Sequence, residues 1–120
     1  VAVILVVDDE EPVVDLLTDI LEDQGHIVQT AYHGRAALLL AREMPPDLVI
    51  SDVMMPFMDG PELCRRIRAG AGTRNVPVIL MSAARSPDLH ECGASDFVGK
   101  PFAIERIDAL VARYVGVPDL

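Results

Sequence analysis

In the stretch Asp47-Leu48-Val49-Ile50-Ser51-Asp52-Val53-Met54-Met55-Pro56 a short apolar run stops abruptly at a carboxylate. Leu48, Val49 and Ile50 are too few for periodicity to tell strand from helix, but Pro45 and Pro46 before them and Pro56 after them bound a strand-length segment. Asp52 therefore falls at the exit of a buried strand. In an open parallel sheet the carboxyl ends of the strands are where ligands and chemistry collect, although a single Asp there also serves as a turn former or helix cap.

The same pattern recurs on either side. Ala2 to Val7 is a β-rich apolar run followed by Asp8, Asp9, Glu10 and Glu11, so a buried strand empties into concentrated negative charge. Pro12 suits a first helical turn, and Val13, Leu16, Leu17, Ile20 and Leu21 repeat at amphipathic spacing until Gly25. Ile27 to Ala31 reads as a weaker second strand, and Arg35 to Glu43 as a second helix. Beyond Asp52, Met58-Asp59-Gly60-Pro61 turns into a helix with Leu63 and Ile67 on its apolar side and Arg65, Arg66 and Arg68 facing outward, closed by Gly70 and Gly72. Val76 to Met81 predicts a fourth strand with Ser82 at its exit. Ser86-Pro87 opens a helix with room for barely two turns before Gly93, and Asp96 to Gly99 is a short fifth strand ended by Lys100-Pro101. The last helix places Ile104, Ile107, Leu110, Val111 and Tyr114 on one face. Strands alternating with helices throughout predict an α/β fold, one parallel sheet covered on both faces, with right-handed crossovers. The strand exits then share one edge.

Composition narrows the function. The 120 residues make one domain, residues 1–120, with Gly116-Val117-Pro118 able to begin a linker if it is the N-terminal part of a longer protein. Although 51% of the residues are apolar, the longest unbroken apolar run, Val1 to Val7, is far short of a membrane span and has no basic flank of a signal peptide. A net charge of -9 argues against direct binding of nucleic acid. Cys64 and Cys92 lack metal-ligand spacing and read as free thiols in a reducing cytoplasm.

Asp8 and Asp9, Asp52, Ser82 and Lys100 each follow an apolar run directly, and together they form a cation and phosphate site. Like charges at close range repel unless something positive lies between them, and Mg²⁺ prefers hard oxygens from one or two carboxylates together with waters and phosphate. Lys100 is the only lysine among ten basic residues. Its compact ammonium acts as a point charge where Arg would present a planar fork.

Asp8-Asp9, Asp52-Val53-Met54-Met55-Pro56, Met58-Asp59-Gly60, Ser82-Ala83 and Lys100-Pro101-Phe102 resemble, in order and at nearly the same spacings, the receiver domain of bacterial two-component response regulators. The resemblance covers essentially the whole chain. It implies a flavodoxin-like (βα)5 doubly wound fold of strand order 2-1-3-4-5, here with a shortened fourth helix. It implies that Asp52 accepts a phosphoryl group from a phosphohistidine on a sensor histidine kinase or phosphotransfer protein. By similarity, Mg²⁺ (or Mn²⁺) is bound by Asp9, Asp52 and the backbone carbonyl of Met54, with Asp8 acting through water. Lys100 would pair with Asp52 at rest and with a phosphoryl oxygen afterwards; Ser82 would bond another phosphoryl oxygen. Phe97 occupies the position of the switch aromatic, without a hydroxyl, and the Lys100-Pro101 bond is a candidate cis peptide. Such a domain is a cytoplasmic signalling module for a downstream effector rather than an enzyme, with self-catalysed phosphotransfer and slow autodephosphorylation.

The chain departs from the family in two places. Ser82 to Lys100 is shorter by about four residues, close to one helical turn, and the fourth helix bears the loss. That helix, the fifth strand and the last helix form the family's usual dimer and effector face, which is expected to be weakened or redirected. Phe57 replaces a common glycine and puts a large ring beside the pocket, where it could gate access. Met54, Met55 and Met58 read as packing residues at the pocket mouth, since no thiolate or imidazole accompanies them. His33 reads as a helix start, with His26 and His90 exposed. Of the rivals, an Asp-nucleophile phosphatase would need an acid where Met54 stands, and a flavin domain would need a phosphate-cradling loop where four acids stand. A receiver-like interaction module independent of phosphorylation is the remaining alternative.

Overall fold

Alternation between two apolar faces organises the molecule. The computed structural model describes residues 1–116, so the end of the expected Gly116-Val117-Pro118 linker lies outside the described residues. In chain order the elements are β1 (Val3–Val7), α1 (Glu11–Asp23), β2 (Ile27–Ala31), α2 (Gly34–Glu43), β3 (Leu48–Asp52), α3 (Gly60–Ala69), β4 (Val78–Ser82), α4 (Leu89–Cys92), β5 (Asp96–Gly99) and α5 (Ile104–Val115). All strand pairs are parallel, in the order β2-β1-β3-β4-β5. Successive side chains of a strand point to opposite faces. Ile4, Val6, Leu48, Ile50, Ile79 and Met81 therefore pack against Leu17 and Leu21 of α1 and Ile107 and Leu110 of α5. Leu5, Val7, Val49, Val78 and Leu80 pack on the other side against Ala37 and Ala41 of α2 and Leu63 and Ile67 of α3. This is the flavodoxin-like fold expected. Among the described residues no helix is long and apolar enough to cross a membrane.

Several local expectations are corrected. In α1 the buried set is Val14, Leu17 and Leu21, while Leu16 is 47% exposed, because the apolar repeat is wider than the face the sheet can cover. Ile104, in the first turn of α5, is likewise 50% exposed. Ser86-Pro87 does not open α4; Asp88 does, its Oδ1 accepting from the Glu91 amide at 3.1 Å, and the helix is one four-residue turn ended by Gly93 at φ +82°. His26 is buried rather than exposed, and its Nδ1 accepts from the Ala2 amide at 3.3 Å. His33 does start a helix, its Nδ1 accepting from the Ala36 amide. Cys64 and Cys92 are free and buried in the same cluster, and burial, with the Cys92 thiol beside it, pushes the Cys64 thiol up to about 12.

Arg68 is the most informative correction. Instead of facing solvent it is half-buried, its Nε donating to the Gly93 carbonyl at 2.8 Å and its Nη1 to the carbonyls of Arg74 and Val76. Arg65 adds a bond of 3.1 Å to each carboxylate oxygen of Glu91. A one-turn helix has too little surface to hold itself. Side chains from α3 therefore anchor α4. Arg68→Ala is expected to lower stability by about 2 kcal/mol and to speed hydrogen exchange at the Gly93 and Ala94 amides, which donate to Leu89. Unchanged exchange there would contradict this anchoring.

Candidate functional site

The sheet register brings the strand exits level. Asp52 of β3 pairs with Met81 of β4, Ser82 with Gly99 of β5, and Val7 of β1 with Ser51 of β3. The next residues on β1 and β5 are Asp8 and Lys100, so side chains distant in sequence face one cleft. Asp8 and Asp52 are buried and Asp9 is exposed; one carboxylate oxygen from each lies within 4.8 Å of the others. Lys100 Nζ reaches across them, 2.7 Å from Asp8 Oδ2 and 3.1 Å from Asp52 Oδ1, with Glu10 Oε1 at 3.8 Å. The expected pairing with Asp52 is present, but Asp8 is the closer partner. Asp8 Oδ1 also accepts from the Glu10 amide at 2.9 Å, which fixes the carboxylate's orientation.

Ser82 is buried, and its Oγ accepts from the Ala84 amide at 3.0 Å, while its carbonyl accepts from the Lys100 amide at 2.9 Å. The hydroxyl proton is left free to donate elsewhere. The Lys100-Pro101 peptide is cis. Phe97 is half-buried against the α2–α3 side of the core. Met55 is buried, while Met54 is 68% exposed, so the methionines divide between packing and surface. Phe57 does not gate the cleft; its ring is fully exposed, and its backbone sits at φ +69° in a three-residue turn closed by the Met58 amide on the Pro56 carbonyl. Gly60 has a role that its turn reading did not reveal. A Cβ there would collide with the Asp52 carbonyl oxygen, so only glycine lets α3 start against the backbone of the site.

Electrostatics follow from this crowding. Burial pushes the Asp52 carboxyl above the ordinary carboxylate range; the hydrogen bond from Lys100 pulls it back, and Asp8 and Asp9 push it up again. Burial alone would lower Lys100, but its bonds to Asp8 and Asp52 outweigh that and raise it, so it stays charged through neutral pH. Three carboxylates thus face one ammonium. That donor set is all hard oxygen, with Asp9 open to water on one side, and it suits a divalent ion such as Mg²⁺.

A family model, the response regulator receiver domain, matches residues 4–112. The chain belongs to this family. Among solved structures, the receiver resembles the chemotaxis protein CheY4 of Vibrio cholerae at 31% identity and a TM-score of 0.90, over 95% of this chain and 98% of that one. It resembles the receiver domain of a signal transduction histidine kinase from Syntrophus aciditrophicus at 36% identity and 0.88, over 96% and 90%. A third likeness, at 27% identity and 0.88 over 96% and 98%, is the receiver domain of sensor histidine kinase PA1611 from Pseudomonas aeruginosa, solved with a magnesium ion coordinated in its active-site cleft. The chain is thus a receiver domain of two-component systems, and receiver domains are signalling domains.

Asp52→Asn is expected to stabilise the receiver domain without divalent ions by on the order of 1 kcal/mol, because it removes a buried charge beside two like charges. The raised folded-state pKa means that, between the unfolded and folded values, the folded protein binds the extra proton. Wild-type stability should therefore rise as pH falls through that interval, and its deficit relative to Asp52→Asn should shrink. Urea denaturation of both proteins from about pH 7 down to about pH 4 checks this. A less stable Asn variant at neutral pH would contradict it.

Proposed function

We propose that Asp52 is the phosphoacceptor of this receiver, taking its phosphoryl group from a phosphohistidine on a sensor histidine kinase or phosphotransfer protein. The observation that carries this reading is Lys100 Nζ bridging Asp8 and Asp52 beside Asp9. An Asp52 oxygen forms the bond to phosphorus as the P–N bond of the donor breaks, the imidazole nitrogen keeping the electron pair. Positioning an in-line nucleophile and neutralising the equatorial oxygens are what such a transfer asks of a protein. Asp9, Asp52 and the Met54 carbonyl would hold Mg²⁺ directly, and Asp8 through water. When bound, the ion supplies positive charge that offsets the carboxylates and the incoming oxygens.

The protein groups do the rest. Lys100 moves its bond from Asp52 to a phosphoryl oxygen while keeping Asp8. Ser82 donates its free hydroxyl proton to another oxygen and draws the loop containing Ala84 inward. Phe97, lacking a hydroxyl, would respond by packing alone, and the altered surface would be read by a downstream effector domain or protein. The self-catalysed transfer and slow loss of phosphate would proceed in the cytoplasm, with residues 1–120 as the single receiver unit.

Incubation with Mg²⁺ and acetyl phosphate, followed by intact-mass measurement, tests this. One phosphoryl group is expected on the wild type and none on Asp52→Asn. A gain on both would move the acceptor elsewhere, and a gain on neither would favour the phosphorylation-independent module.

A further inference from the structure

Charge on this chain is segregated away from the cleft as well as within it. Residues 1–34 hold eight acidic side chains and no Lys or Arg, and α1 carries much of that charge. The groove between α2 and α3 is the opposite, a cavity of about 400 Å³ walled by Arg35, Arg42 and Arg66 with Leu39 and Met58 among its apolar lining. Through Arg35 and Met58 it runs into a second cavity of about 670 Å³, where Phe57 forms part of the wall. Arg35, Leu39 and Arg42 stand at i, i+4 and i+7 on α2 and so share one helix face. Arg66 shares Glu62 at 3.2 Å, but among the described residues Arg35 and Arg42 have no carboxylate within 4.0 Å. Leu39 is 54% exposed, and the Phe57 ring stands fully in water on a backbone conformation that favours glycine. Exposed large apolar groups framed by unpaired guanidinium groups are the composition of a binding surface, not of a solvated helix face.

We propose that the α2–α3 groove is a docking site for an amphipathic partner helix with acidic flanks. Apolar side chains one turn apart would enter the cavity over Leu39, Met58 and Phe57, and carboxylates on either flank would meet the guanidinium forks. The chain's negative charge does not prevent this, because screening over about 8 Å at physiological salt leaves the local arginines in control. A second copy is the poorer fit. Its acidic α1 offers Leu16 as its one exposed large apolar anchor among the described residues, and a contact between two different faces would propagate rather than close. The groove shares the loop from Met54 to Asp59 with Asp52, so an occupant sits beside the site while touching a surface other than α4, β5 and α5. The inference goes beyond the phosphoacceptor reading and is tested on the unphosphorylated domain.

The probe is a set of synthetic amphipathic helices with leucines at i, i+3, i+4 and i+7 in different registers and glutamates on both flanks, with lysine-flanked counterparts. These are titrated into ¹⁵N-labelled protein. Glutamate-flanked peptides should shift amides of α2, α3 and the Met54–Asp59 loop, with binding weakened as salt rises. Arg35→Glu with Arg42→Glu should weaken them by about tenfold or more. Phe57→Gly should weaken them several-fold while leaving the fold intact, and it decides the matter alone if the charge-reversed protein does not fold. Arg106→Glu with Arg113→Glu, an equal charge change on α5, should have no effect. Equal binding of lysine-flanked peptides, shifts confined to other surfaces, or no binding by any of the set would each overturn the proposal. So would self-association through the groove, shown by peptide-free line broadening that Asp15→Lys on α1 abolishes.

Discussion

One ammonium among buried carboxylates sets the terms for the rest of the molecule. Asp8 and Asp52 are both withdrawn from water, with Asp9 close by, and Lys100 is the cation that reaches the two buried ones. Burial of like charges is costly unless a counter-charge is held in good geometry. The fold supplies that geometry through the β4–β5 register, the Lys100 amide on the Ser82 carbonyl, and the close approach of Gly60 to the Asp52 backbone. The cleft is consequently poised, since its excess negative charge favours any cation or cation–phosphate pair that enters.

Much of this was legible in sequence because the central strands are nearly continuous apolar runs, each followed at once by a polar residue. Burial on both sheet faces leaves no room for alternation, so strand existence and strand exit were both readable. Helix phase was less so. In α1, Val13 and Val14 stand next to Leu16 and Leu17, and only the sheet decides that Val14 and Leu17 go inward. His26 and Arg68 were misread for a shared reason: their burial depends on partners 24 or 25 residues away, Ala2 and Gly93, which no local pattern encodes. The role of Gly60 was hidden likewise, because a glycine in a turn gives no sign of which backbone it must approach. Lys100 is legible from its place at the exit of the fifth strand and as the one lysine in the chain, but its preference for Asp8 over Asp52 is set by the fold.

The one-turn α4 and the α2–α3 groove are both built on α3. α4 is a single turn, and Arg65 and Arg68 fix it in place. On the other flank of α3, Arg66 lines a groove with α2 in which Arg35 and Arg42 lack acidic partners. The same helix thus anchors the one-turn α4 and lines the α2–α3 groove, and the loop leading into it begins at Asp52.

The account depends most on Lys100 acting as the counter-ion of both buried carboxylates. Double-mutant cycles of Lys100→Met with Asp8→Asn and with Asp52→Asn, read by urea denaturation with and without Mg²⁺, test this most directly. A coupling energy of about 1 kcal/mol or more without Mg²⁺, falling when the ion is added, is the expected result. Additive effects, unmoved by Mg²⁺, would contradict it.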